Sequence, residues 1–232
     1  MSVSFFGSGI TLNNGAAGLF VWSAMSSVIA LAQSLGLAYA AGVSPYATVL
    51  LVGLCERAHW IGPLPGVMGV AANPVVLVIC GALATLELAA SLIPGVASVW
   101  ETVHTAIRPL AAALIAVATA WHSDPAIVAA AALLGGGLGL VTHATKLGLR
   151  VAVDTSPEPL SNGVLSATEL SVVAAMSYYV WSHPLISLAL ALALLVLTLM
   201  LVRLVWRTIR RMAGDMVSGR WMAAANPGVT NV

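Results

Sequence analysis

The sequence predicts an all-α fold, a polytopic transmembrane helix bundle, on three observations. Hydrophobic residues fill 60% of the 232 positions and charged residues only 7%, against about 25% charged in soluble domains. Mean hydropathy is +1.00. Proline, glycine and short polar residues cut the chain into apolar runs, several of them near the ~20 residues that cross a bilayer. So few charges cannot cover a water-exposed surface of this size, so lipid is the solvent. The expected count is seven spans, or six plus a re-entrant segment. Residues 1–16 form an external N-terminal segment, 17–206 the transmembrane helical domain and 207–232 a basic cytoplasmic tail.

Met1–Gly18 lacks the basic n-region of a signal peptide and is read as part of the mature chain. The first apolar segment runs from about Ala17 to Ala41 and stops at Gly42, with Ser44-Pro45-Tyr46 marking the turn. The second, Ala47 to about Arg57, is short for a crossing: it is tilted, extended back to Pro45, or re-entrant. His59–Ala72, rich in glycine and proline, reads as a loop. The third segment opens after Asn73-Pro74, proline suiting a first helical turn, and ends near Pro94-Gly95. The fourth runs from about Val99 to Trp121. Trp121–Pro125 is a turn carrying an interfacial aromatic and an N-cap aspartate, Asp124. The fifth, Ala126 to about Val151, contains Gly135, Gly136, Gly137 and Gly139. The sixth spans about Gly163 to Trp181 and ends in the aromatic belt Tyr178–Trp181; the seventh opens after His183-Pro184 and runs to about Val205.

Basic residues set the orientation. Arg203, Arg207, Arg210, Arg211 and Arg220 follow the last segment, which places the C-terminus in the cytoplasm. Arg57 falls on the external side, where Glu56 is a pairing partner. A weak internal echo links Gly36-Leu-Ala-Tyr-Ala-Ala41 with Gly139-Leu-Val-Thr-His-Ala144, and Asn73-Pro74 with His183-Pro184. It suggests a 3+1+3 parallel repeat, one of the plans used by small transporters.

Ionisable residues inside spans cost roughly 2.5–3.5 kcal/mol each at mid-helix, so each needs a partner or a reason. At ~1.5 Å per residue, Glu87 lies roughly 10 Å from the cytoplasmic end of its segment, Arg108 about 12 Å into the fourth and Glu169 roughly 9 Å into the sixth. Lys146 sits one turn before Arg150 in the fifth. Charges from four segments therefore meet at one depth, in the cytoplasmic third. The candidate polar site is Glu87, Arg108, His143, Lys146, Arg150 and Glu169, with His104, Glu101, Glu158 and Asn162 as secondary members. The carboxylates would bind an ion or proton, the cations would serve as counter-ions or anion contacts, and His143 and His104 as proton relays. A closed salt-bridge network that only fixes helix register is the competing reading. Two local alternatives stay open: Ser166-Ala-Thr-Glu169 also has the pattern of a capping box, with the helix starting at Ala167, and Lys146 and Arg150 could snorkel to the headgroups.

Other chemistry has little support. His143 lacks the spacing of a zinc site, no Gly-x-Ser-x-Gly element occurs, and Cys55 and Cys80 sit in apolar runs as small hydrophobes. A formal charge of +1 argues against a nucleic-acid partner. Neither a catalytic site, a metal nor a cofactor is expected. The expected partners are the lipid bilayer and a small ion or polar solute, with self-association or membership of a membrane complex left open.

Ala40–Tyr46, Glu87, Trp100–Pro109, Thr142–Lys146 with Arg150, and Ser156-Pro-Glu-Pro-Leu-Ser-Asn162 leading to Ser166 and Glu169 resemble the domain-of-unknown-function 4126 family of small bacterial integral membrane proteins. The resemblance covers about Leu35 to Met200. Where the family pattern has an Asp-Lys pair before a proline, this chain has Leu92-Ile93-Pro94 preceded by Ser91, and Ala97 where an aspartate follows. The resemblance implies a bacterial cytoplasmic-membrane location and brings no activity. The functional expectation is a small transporter or channel, or alternatively a non-transporting structural or accessory subunit.

Overall fold

A computed structural model describes residues 16–93, 95–154 and 159–217. Among these every regular element is helical: α1 (Ala16–Val43), α2 (Pro45–Arg57), a 3-10 helix (Gly66–Ala72), α3 (Pro74–Leu92), α4 (Val96–Val103), α5 (Ile107–Thr119), α6 (Pro125–Asp154), α7 (Pro159–Ser182) and α8 (Pro184–Val217). The helix starts follow the punctuation. Ser44 caps α2 by accepting from the Ala47 amide at 3.2 Å, and Asn73 caps α3 by accepting from Val75 at 2.9 Å. Asp124 accepts from Ala126 at 2.8 Å. In each case the next residue is a proline, whose missing N–H costs nothing in a first turn.

The surface is apolar and the interior carries the charge. Val75 and Val78 on α3, Leu110 and Leu114 on α5, and Leu133 on α6 are all more than 60% exposed, whereas Arg108 and Arg150 are completely buried. That inversion is what a lipid solvent demands. By length and apolarity, Val21–Val43, Pro74–Leu92, Pro125–Val151 and Asn162–Ser182 can cross a membrane, and α4 with α5 adds a fifth crossing if the bent pair counts as one.

The expected continuous fourth segment is therefore corrected: the chain bends by 54° between α4 and α5. Pro109 supplies the reason, since it cannot donate to the carbonyl of Thr105 and its ring crowds that carbonyl. The connector expected as a loop contains the 3-10 helix, and α2 starts at Pro45. There Glu56 accepts from the Leu64 amide and Arg57 donates to the Ala72 carbonyl, so the loop backbone, not each other, holds this pair.

The C-terminal half of α1 is the hub. From Leu37 to Val43 every residue is buried, and small side chains let neighbours approach. A Cβ at Gly42 would lie 2.8 Å from the Gly139 carbonyl oxygen of α6, and one at Gly139 would lie 2.3 Å from Ala112 Cβ of α5. Gly139, and Gly135 whose Cβ would lie 2.6 Å from Ala116 Cβ, thus serve close helix packing. Successive long elements run in opposite directions between two ends of the bundle. One end gathers the α2–α3 loop, whose Gly66 abuts His122, together with the α5–α6 and α7–α8 turns. Trp60, Trp121, Tyr178 and Tyr179, all exposed there, have the makings of an interfacial aromatic belt. The other end gathers the C-termini of α1, α3 and α6 with the N-terminal portions of α5 and α7.

Candidate functional site

The second end holds the charges. Lys146, 5% exposed on α6, lies at the centre. Its Nζ is 3.1 Å from Glu87 Oε1, 3.2 Å from Glu101 Oε1 and 3.2 Å from Glu169 Oε2, and it donates to the Val43 carbonyl at 2.8 Å. That carbonyl is free for it because α1 ends at Val43.

Arg108, just past the helix break, reaches back to both glutamates on its side. It pairs with Glu87 through NH2 and with Glu101 Oε2 through NH1 at 2.8 Å. Ser44, besides capping α2, donates its hydroxyl to Glu87. Arg150 closes the other side: it pairs with Glu169 Oε2 at 2.7 Å and donates to Ser166 Oγ at 3.0 Å, the Ser91 carbonyl at 3.1 Å and Asn162 Oδ1 at 3.4 Å. Ser91 and Ser166 hydroxyls lie 2.9 Å apart, joining α3 to α7. Three carboxylates (Glu87, Glu101, Glu169) face three cations (Arg108, Lys146, Arg150), so the network is neutral when every member is ionised.

Of the six main candidates, five form this network. His143 lies beside it, with Nδ1 3.6 Å from Glu101 Oε2 and Nε2 3.2 Å from the Thr105 hydroxyl. Of the secondary candidates, Asn162 belongs to the Arg150 shell. Glu101 moves from the margin to the centre, because the bend turns α4 so that Glu101 faces the same core as Arg108. His104 stands apart: it stacks on Trp100 at 4.4 Å, holds the Trp100 carbonyl through Nδ1 at 2.8 Å, and meets the Tyr46 hydroxyl at 3.2 Å. Glu158 lies outside the described residues, as does Ser156-Pro157.

Both local alternatives are settled. The helix containing Glu169 begins at Pro159, so Ser166 is no N-cap; its hydroxyl donates to the Asn162 carbonyl one turn back at 2.8 Å. Lys146 and Arg150 point inward rather than snorkelling. Sequence reasoning did not single out Ser44 or Ser91 as site members. Ser44 carried a signal, a serine before proline where two spans meet; Ser91 carried none.

A crevice of about 260 Å³ opens onto this network between α2, α3 and α7. Its walls are apolar, with Ala47, Leu50, Leu51, Leu88, Leu170 and Val173, and its polar end presents Ser44, Glu87, Ser91, Lys146, Ser166 and Glu169. Among the described residues no three His, Cys, Asp or Glu side chains are placed to hold a metal ion.

A family model described as domain of unknown function (DUF4126) matches residues 31–204. Comparison with curated proteins and with solved structures finds no match.

Proposed function

This chain belongs to the DUF4126 family, and from the site's geometry we propose that it is a small transporter or channel whose six-charge network handles a small ion or polar solute. The helix break supports this most directly. Glu101 lies in the last turn of α4 and Arg108 in the first turn of α5, so the backbone is interrupted where the buried charges meet. Interrupted helices at membrane depth are tolerated where they face protein or a water-filled cavity, and in transporters they build ion and substrate sites.

In this reading the chain crosses the bacterial cytoplasmic membrane seven times, the short α2 completing its passage through the loop that follows it. The six-plus-re-entrant count is the alternative if that loop stays within the membrane. The alternating helix directions and the 3+1+3 parallel repeat are compatible. The network end is cytoplasmic in this reading, because exposed Arg203, Arg207, Arg210 and Arg211 lie toward the C-terminal end of α8, which heads that way.

The balance of three carboxylates and three cations favours the second reading, a structural or accessory subunit with a closed network. The test is purified protein in proteoliposomes on a solid-supported membrane, challenged with jumps in pH, sodium, potassium, ammonium and phosphate. Transport predicts a charge-movement signal for at least one jump that Glu87→Gln abolishes while the variant stays monodisperse. No signal for any jump in the native protein refutes it.

A further inference from the structure

The crevice says more than the network does about what the site would take. Its long axis is lined by aliphatic side chains of α2, α3 and α7, and two of them, Leu88 and Leu170, are at least 40% exposed on the bundle surface. The mouth therefore opens sideways, toward lipid. A ligand entering by this route has an apolar body, and only its leading end meets charge.

The chemistry of that end fixes the head group. Lys146 is the one cation bordering the crevice among the described residues, and its ammonium is already surrounded by three carboxylates and a carbonyl. An ammonium has three protons to give, so none is left for an incoming anion. The carboxylates are the opposite case. Glu87 and Glu169 both border the crevice, and Glu169 Oε1 is buried with no hydrogen-bond partner among the described residues. A buried carboxylate oxygen without a donor is costly, and a donor from outside removes that cost. The orphaned donors Arg108 Nε and Arg150 Nε belong to side chains that do not border the crevice. The volume, about 260 Å³, lies just under the ~300–1,000 Å³ of small-molecule sites. It suits a head and the first part of a chain, with the remainder lying in lipid.

We propose that the crevice between α2, α3 and α7 binds, from the bilayer, a single-chain amphiphile whose head donates hydrogen bonds, an amine or a hydroxyl, to Glu169 beside Glu87 and Lys146. This deepens the reading of the network as a ligand-handling site and rests on it, but it concerns binding and not movement across the membrane.

The test uses full-length protein in nanodiscs and measures saturable displacement of a photoreactive dodecylamine by 1-aminododecane, 1-dodecanol and dodecyl phosphate. Binding of the amine, the alcohol or both, with dodecyl phosphate at least tenfold weaker, is the expected result. Glu169→Gln weakens the amine about tenfold, the size of one lost charge-assisted bond. Because Glu169 also holds Arg150, a second variant leaves the network untouched. Gly81 borders the crevice on α3, and a Cβ there has ordinary 3.7 Å clearance to Leu50. Gly81→Leu fills the crevice and abolishes binding of both donors. Absence of saturable binding, phosphate binding as tight as amine, or indifference to Gly81→Leu overturns the proposal. Ion-jump currents that persist without amphiphile binding sink this inference and leave the transport reading standing; amphiphile binding without any current does the reverse.

Discussion

Replacing Lys146 with methionine probes the network at its centre. Methionine keeps most of the side chain's length and removes the charge. Each ion pair of Lys146 lies at 3.1–3.2 Å, which at an effective dielectric of ~20 corresponds to about 5 kcal/mol of attraction per carboxylate. Most of that gross attraction offsets the cost of burying the ammonium. What the variant loses is balance: three carboxylates then face two guanidiniums, and one buried negative charge has no counter-ion. Breaking a buried pair in this way costs about 3–5 kcal/mol. For a chain of this size that corresponds to a melting temperature lower by about 10 °C. Thermal unfolding in detergent, followed by tryptophan emission, measures it. The decisive comparison adds Glu169→Gln, which returns the network to two carboxylates and two guanidiniums. The double variant is expected to recover about 1–3 kcal/mol relative to the sum of the singles. A strictly additive loss refutes the idea that these charges act as one network.

Three further outcomes follow from the same geometry. Gly42→Ala puts a methyl group 2.8 Å from the Gly139 carbonyl oxygen and is expected to cost about 1–3 kcal/mol, whereas Gly148→Ala meets nothing within 4 Å and should stabilise α6 by about 0.5–1 kcal/mol; paired melting curves check both signs. Ser44→Ala removes the α2 cap and the hydroxyl bond to Glu87 together, for an expected loss of about 1–2 kcal/mol, with faster amide exchange in the first turn of α2. Arg150→Lys keeps the charge but cannot span Glu169, Ser166, Asn162 and the Ser91 carbonyl at once; it should lower stability by about 2 kcal/mol and speed exchange at the start of α7.

The charge cluster was legible because an ionisable residue stands out in an apolar helix, and counting residues from helix ends put Glu87, Arg108, Lys146 and Glu169 at one depth. The starts of α3 and α6 were legible because Asn73 and Asp124 each precede a proline; Ser44-Pro45 marked the boundary of α2 but read as a turn, with the helix expected two residues later than its start at Pro45. The break between α4 and α5 was not. Pro109 carries its signal at the middle of the expected 99–121 segment, but membrane helices tolerate an interior proline where neighbouring groups satisfy the freed backbone, and tertiary packing decides. Missing the bend meant undervaluing Glu101, whose direction depends on it. Ser166–Glu169 left an alternative open that the structure closes: serine and glutamate three apart match a capping box locally, yet Pro159 starts the helix earlier and Ser166 is taken up by Arg150. The two-sided crevice, built from α2, α3 and α7, depends on contacts far apart in sequence and leaves no local trace.

The comparison that separates a working site from a structural brace is the current carried by the Lys146→Met, Glu169→Gln double variant in proteoliposomes, set beside its melting temperature. A ligand-handling network predicts recovered stability with no current under any ion jump that moves charge in the native protein. Recovered stability together with full native current would contradict it, and would make the six charges a brace.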